Sequence, residues 1–301
     1  MNPAAGNGNG MKVWHQIEPI LIQRNQPYRA AYTEGERDAY RFVLDFLADD
    51  RTTTIVAVGG DGTLHEVANG ICQAQSDIPL GYIPAGSGND FARGHGIPMQ
   101  PEKALELLLG PHTTILSDRL RIGERIAMNS IGAGFDARVA RVTNTASYKK
   151  WFNTLRLGKL AYVITLARVL FSYKPGRTTL TVDGQSYHYD HVWLIAVVNI
   201  PYIGGGMAIC PDASPTDGIA NVCVVSNIGK LKLLLLFPRV YKGTHTNMKE
   251  THFHSGRQMM ITADQPLDVH MDGEAAGSTP ISLTVQSAAV RVIVPQSRGE
   301  L

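Results

Sequence analysis

The residues best suited to chemistry lie in short glycine-rich blocks. Val58-Gly59-Gly60-Asp61-Gly62-Thr63-Leu64 reads as a strand running into a glycine turn with one acid, followed by a helix. One βα unit later, Pro84-Ala85-Gly86-Ser87-Gly88-Asn89-Asp90-Phe91-Ala92-Arg93 repeats that arrangement. Glycines let backbone N–H groups approach phosphate oxygens, and a carboxylate beside such a turn can hold Mg2+ or a ribose hydroxyl. With the opening Asn2-Pro3-Ala4-Ala5-Gly6, one small sheet would present three phosphate-friendly turns. Taken singly, Gly-Asp-Gly is also ordinary tight-turn chemistry. None of the blocks has the P-loop spacing, and none is a G-x-G-x-x-G that opens a helix with a distant ribose acid, so a nucleotide would be held in a different mode.

Hydrophobic spacing gives the elements that must position these turns. Helices are expected over Trp14–Ile22, Asp38–Ala48, Glu66–Gln75 and Pro101–Leu109, with Thr33 suited to capping the second, and strands over Tyr28–Tyr32, Thr53–Val58 and Pro79–Ile83. The opening block reads as a loop that follows a strand, so a first strand would be expected before it. Alternating strands and helices argue for an open α/β sheet over residues 1–113, with ligands at the carboxyl ends of its strands. From residue 114 to 301 the pattern turns β-rich. Strands are expected at Thr114–Leu116, Arg119–Ile122, Arg125–Ser130, Thr178–Val182, His191–Val198, Ala220–Val225, Met259–Thr262, Leu267–Met271, Ile281–Val285 and Val290–Val294. Helices would interrupt them at Lys159–Phe171 and Lys230–Tyr241. This is the pattern of an antiparallel β-sandwich whose last strand could return to the first domain. The Leu-rich Lys230–Tyr241 helix is expected to bury against the sandwich, with docking on an anionic membrane as the alternative.

Composition narrows the function. With 28 Lys plus Arg against 26 Asp plus Glu, the net charge of +2 gives no electrostatic case for nucleic-acid binding. Cys72, Cys210 and Cys223 are too far apart for a C-x-x-C pair, which fits a reducing cytoplasm better than a disulfide framework. No apolar run is long enough to span a bilayer, so membrane contact would be peripheral.

Taken in order, the blocks resemble the diacylglycerol kinase catalytic-domain family, which includes bacterial lipid kinases and the related sphingosine and ceramide kinases. The matching residues are Asn2-Pro3-x-x-Gly6, Gly59-Gly60-Asp61-Gly62-Thr63, Gly86-x-x-Asn89-Asp90-Phe91-Ala92-Arg93, Gly204-Gly205-Gly206-Met207, Asp217-Gly218 and Asp272-Gly273-Glu274. The resemblance implies an N-terminal α/β domain of NAD kinase type, a C-terminal β-sandwich, and an active site between them. It implies that Asn2, Thr33, the loop from Gly59 through Leu64 to His65, and Ser87 bind ATP. It implies that Asp61, Asp90 and Asp118 surround a catalytic Mg2+, and that Ser214, Asp217 and Ile219 hold a second, structural one. Glu274 would be the catalytic base, accepting the proton of a lipid hydroxyl as its oxygen attacks phosphorus. Turn chemistry alone would also favour Asp-Gly at both later blocks. Ala5 stands where the family commonly has serine, which removes one phosphate hydrogen bond.

The expected activity is transfer of the γ-phosphoryl group of ATP to a lipid alcohol, diacylglycerol first. The expected partners are that lipid, the inner membrane surface and a second copy of the chain in a homodimer. An NAD kinase-like or phosphofructokinase-like enzyme also uses a Gly-Gly-Asp-Gly loop, but the Asn89–Arg93 and Asp272–Glu274 blocks suit lipid kinases better. A catalytically silent lipid- or nucleotide-binding protein is the other alternative, and the presence of Asp61, Asp90 and Glu274 argues against it.

Overall fold

The structure is a computed structural model that describes residues 1–145 and 168–296. Its helices are α1 (Ala5–Gln23), α2 (Asp38–Leu47), α3 (Asp61–Gln73), α4 (Asp90–Gly94), α5 (Pro101–Leu109), α6 (Phe135–Thr145) and α7 (Lys230–Tyr241). Strands β1 (Ile55–Gly59) and β2 (Leu80–Pro84) pair in parallel and point their carboxyl ends at the glycine turns. The later strands are β3 (Thr113–Ile122), β4 (Arg125–Ala127), β5 (Ser130–Gly134), β6 (Gly176–Val182), β7 (Gln185–Val198), β8 (Tyr202–Ile203) and β9 (Met207–Ala208). They continue with β10 (Ala220–Ser226), β11 (Thr251–Gly256), β12 (Gln258–Ala263), β13 (Asp268–Met271), β14 (Glu274–Ser278) and β15 (Ile281–Val294).

Strand β1 separates two apolar layers because its side chains alternate across the sheet. Ile55 and Ala57 pack with Val43 of α2 and Leu64, Val67 and Ile71 of α3, whereas Val58 packs with Val13, Trp14, Ile17 and Leu21 of α1 and Ala104 and Leu105 of α5. The remaining strands pair antiparallel around an interior of Leu180, Val192, Ile195, Val222, Ile261 and Leu283. That is the α/β domain and β-sandwich expected from the sequence.

Strand β15 joins the two. Its first residues pair antiparallel with β12 in the sandwich, its middle and end pair antiparallel with β3, and Val292 lies beside Leu80 of β2 in parallel register. Val290, Val292, Ile293 and Val294 therefore belong to the apolar layer under α2 and α3.

Several elements differ from their expected bounds for identifiable reasons. Tyr28–Tyr32 is extended chain rather than a strand, because its main-chain partner is essentially Met1, whose amino group donates to Ala31 O and whose carbonyl accepts from Thr33 N. Thr33 does not cap α2; the carboxylate of Asp38 accepts from Glu34 N and Gly35 N, and that of Glu66 from Arg37 N and Ala39 N. The expected strand Arg125–Ser130 divides into β4 and β5 because the amides of Met128, Asn129 and Ser130 turn toward the carboxylate of Asp272. Ser117 and Asp118 do not interrupt β3, and a bulge between Gln286 and Val290 keeps β15 continuous. Most of the helix expected over Lys159–Phe171 lies outside the described residues.

The shared strand predicts shared stability. Leu80 is fully buried where β1, β2 and β15 meet, so Leu80→Ala should cost about 2–5 kcal/mol. In urea unfolding, Trp14 in the first domain and Trp193 in the second should report a single transition at a lower midpoint. Two separate transitions would contradict the joining role of β15.

Candidate active site

The three glycine turns converge, and backbone contact is what brings them together. Ala85 N donates to Gly59 O at 2.7 Å, Asn2 N to Val58 O at 2.8 Å, and Asn9 Nδ2 to Ala85 O at 3.2 Å. A Cβ on Gly86 would lie 2.5 Å from Gly60 Cα, so the two strand-end turns can touch this closely only with glycine at 86. Gly6, at φ +57°, is pressed as closely against Ala85 O. Gly60 caps α3, so the first amides of that helix, at Asp61, Gly62 and Thr63, lack intrahelical acceptors and face the junction of the turns. Asn2 Nδ2 donates to Thr63 Oγ1 at 3.0 Å and fixes the opening loop to that helix end. Leu64 is buried in the core and anchors α3 from below.

Asp61 and Asp90 face one another across this junction. Burial pushes the Asp61 carboxyl up to about 6, and the neighbouring Asp90 charge adds to the shift. Its Oδ1 accepts from Phe91 N at 3.2 Å and Asn129 Nδ2 at 3.4 Å. Asp90 reaches across the cleft, accepting from Gly205 N at 2.8 Å and Gly206 N at 2.7 Å. Nearby, Asn129 Oδ1 is buried without a donor. Two close carboxylates and an orphaned carbonyl oxygen are costly together unless a cation joins them. Among the described residues no three His, Cys, Asp or Glu side chains gather as a metal cage. The Asp61 and Asp90 carboxylates could hold Mg2+, which commonly takes one or two carboxylates and completes its shell with water and phosphate oxygens.

The catalytic-base candidate approaches from the sandwich. Strands β13 and β14 form a hairpin whose turn residues, Asp272 at φ 49° and Gly273 at φ 86°, have the paired positive angles of an Asp-Gly turn. Asp272 does more than turn. It accepts from Met128 N, Asn129 N and Ser130 N at 2.8–2.9 Å and from the His65 ring at 2.9 Å. Burial alone would raise its pKa, but the His65 hydrogen bond, the His65 charge and the amides outweigh it and hold it below the ordinary value. Burial likewise opposes protonation of His65, and Asp272 reverses that to raise the His65 pKa. Glu274, the next side chain, is exposed, and its Oε1 lies 3.8 Å from where a Cβ on Gly62 would stand. Partial burial raises its pKa, His65 pulls it back, and Glu66, Asp272 and Glu36 push it up again. A carboxyl with a raised pKa beside the open amides of a helix N-terminus suits a proton acceptor.

The other expected site residues fall into distinct places. Pro3 and Gly6 lie on the opening loop, Thr33 beside Met1, and Ser87 is exposed at the tip of its turn. Asn89 holds its own turn, accepting from Gly86 N and Tyr82 Oη and donating to Gly86 O. Asp118 does not join Asp61 and Asp90. Its carboxylate accepts from Gly218 N at 2.6 Å and Ala288 N at 2.8 Å, and its amide donates to Pro215 O, so it clamps the loop that carries Ser214, Asp217 and Ile219. On that loop Asp217 Oδ1 accepts from Ile219 N at 3.1 Å. Residues not singled out for roles are Asn129, His65 as the partner of Asp272, and the Gly205 and Gly206 amides. The triple glycine was a visible signal, whereas Asn129 had none.

Comparison with known proteins gives the family and the fold. The Diacylglycerol kinase catalytic domain profile matches residues 1–117, and the YegS C-terminal NAD kinase beta sandwich-like domain profile matches residues 129–294. The chain belongs to the diacylglycerol kinase catalytic-domain family. A Xanthomonas campestris protein described as "Probable lipid kinase YegS-like" is 32% identical, covering 92% of this chain and 89% of its own. A diacylglycerol kinase of Mycobacterium tuberculosis is 29% identical over 98% of this chain and 94% of the relative. The crystal structure of a diacylglycerol kinase from Bacillus anthracis superposes with a TM-score of 0.72 at 20% identity, covering 98% of this chain and 95% of the other, and shows the shared fold. As a member of this family the chain is a phosphotransferase with an alcohol group as acceptor.

The His65–Asp272 pair predicts a pH signature. The raised His65 pKa means its stabilisation is complete below about pH 6.5 and lost as pH rises through the folded value; the lowered Asp272 pKa means its share is present above about pH 4 and lost on acidification. His65→Gln should therefore destabilise more at about pH 5.5 than at about pH 8.5, read from urea midpoints. An equal loss at both values would show that the pair carries no charge.

Proposed function

We propose that the protein transfers the γ-phosphoryl group of ATP to the hydroxyl of a membrane lipid, diacylglycerol first, giving phosphatidic acid for phospholipid synthesis. The observation that carries this reading is the approach of Glu274, on the sandwich, to the Gly62 turn at the α3 N-terminus. A phosphoryl group held by the amides of that turn would lie between the nucleotide loops and a carboxylate placed to take a proton. The acceptor oxygen attacks the γ-phosphorus, the bridging bond to the β-phosphate breaks, ADP leaves, and the hydroxyl proton passes to Glu274. Asp61, with Asn129 and Asp90 beside it, would hold Mg2+, which neutralises charge on the transferring oxygens. The loop of Ser214, Asp217 and Ile219, clamped by Asp118, would hold a second, structural Mg2+. A cytoplasmic protein working at the inner membrane surface is the setting this chemistry implies.

Mg2+-dependent transfer of labelled γ-phosphate to lipid alcohols in mixed micelles tests the reading. Transfer to diacylglycerol is expected, and Glu274→Gln should lower kcat by about 10²–10⁴-fold while nucleotide binding persists. Transfer to NAD or a sugar phosphate, with none to any lipid, would replace the acceptor. Full activity in Glu274→Gln would remove Glu274 as the base.

A further inference from the structure

The outer face of α7 differs from the rest of the surface. Its inner face is ordinary core, with Leu233, Leu236 and Val240 packed under it on Ile209, Cys210, Val225 and Ile228. Outward, at helical i, i+3, i+4 spacing, stand Leu231 at 75%, Leu234 at 40% and Leu235 at 65% exposure. Phe171, 70% exposed, lies alongside, tied by Lys230 Nζ, which donates to Phe171 O at 2.7 Å and sits 5.8 Å from its ring. Four large apolar side chains in one ridge are more than a solvated helix needs, since scattered single hydrophobics are the norm.

The charge around the ridge is predominantly positive. From residue 230 to 242 the sequence carries Lys230, Lys232, Arg239 and Lys242 and no acid. Arg168 and Lys174 add exposed charge on either side of Phe171. Lys232 is matched by Glu250 at 2.7 Å, which leaves the positive excess to the others. Bulky aliphatic and aromatic side chains with long basic stems at their margin match a bilayer boundary, where the apolar groups enter and the ammonium heads remain with anionic headgroups. No helix among the described residues is long and apolar enough to cross a membrane, so the contact is superficial.

We infer that this ridge, Leu231, Leu234 and Leu235 of α7 with Phe171 and the surrounding Lys and Arg, docks the protein on an anionic lipid bilayer. The inference rests on the lipid-kinase reading for its purpose and names the face that reading lacks. Position supports it. The core beneath α7 also holds Ile203 and Met207, which flank the Gly204–Gly206 turn whose amides hold Asp90. A bilayer against α7 is thus one packed layer from the cleft where a lipid hydroxyl must arrive.

Flotation of the full chain with vesicles tests this, comparing phosphatidylcholine alone with phosphatidylcholine plus phosphatidylglycerol. Wild type should float with the anionic vesicles. The double variant Leu231→Ser/Leu235→Ser should bind them about tenfold less or weaker still, and Arg239→Glu/Lys242→Glu should lose binding that is steep in salt. Met260→Ser, an exposed apolar change on the sandwich, should bind as wild type. Circular dichroism confirms that each variant is folded. Wild-type binding by the leucine variant, or no vesicle binding by the wild type, overturns the inference. So does loss of a dimer in sedimentation with vesicle binding intact, which would assign the ridge to a second copy. Transfer to a short-chain, water-dispersed diacylglycerol should persist in the leucine variant. Absence of transfer in every variant with vesicle binding intact would instead count against the kinase reading alone.

Discussion

The buried carboxylate of Asp272 is the constraint on which the cleft depends. A carboxylate taken out of water must be met by hydrogen-bond donors, and here three consecutive amides of the β4–β5 connection and the ring of His65 supply them. The amides belong to the sandwich and the ring to α3, so one group fastens both sides. Because Asp272 is also the first residue of the β13–β14 turn, the same bonds decide where Glu274 points. Breaking a buried, multiply bonded ion pair by removing one partner typically costs about 3–5 kcal/mol. In this fold the loss would also displace Glu274.

A second bond across the cleft runs the opposite way. Asp90, from the N-terminal domain, is held by the amides of Gly205 and Gly206 in the sandwich. The two crossings have different chemical characters. Asp272 is bonded to the His65 ring, whose pKa it raises, whereas Asp90 and Asp61 remain close with only amide and carboxamide donors, and burial raises the Asp61 pKa. The cleft is thus closed at the Asp272 side and carries two close carboxylates without a cation partner at the Asp61–Asp90 side. That asymmetry matches a site that gains a divalent cation with its nucleotide.

The sequence made the glycine turns legible because backbone approach leaves a compositional mark. Gly86 is required at its contact with Gly60, where a Cβ would collide, and Gly-rich strings ending strands mark both turns in the sequence. The alternation of α and β over residues 1–113 was equally readable from periodicity. Less legible were positions set by long-range partners. The family resemblance, with a position near a strand end, suggested Asp118 as a third acid for the catalytic cation, yet its oxygens serve the Gly218 and Ala288 amides. Asn129 gave no signal at all, since an asparagine in a strand connection is common and its value lies in the contact with Asp61. Tyr28–Tyr32 had the composition of a strand but lacked a neighbour to pair with along its length.

Strand β15 carries a consequence for how the protein is made. The layer beneath α2 and α3 includes Val290, Val292, Ile293 and Val294, which follow the whole sandwich in the chain. Until the end of β15 is synthesised, the edge of β2 that Val292 pairs with has no β15 partner. Domains usually fold in order of synthesis, whereas here the first-made half waits for the last-made strand. An exposed sheet edge during that interval invites pairing with other chains, so elongation speed and chaperone cover would influence the yield of active protein more than the final stability does.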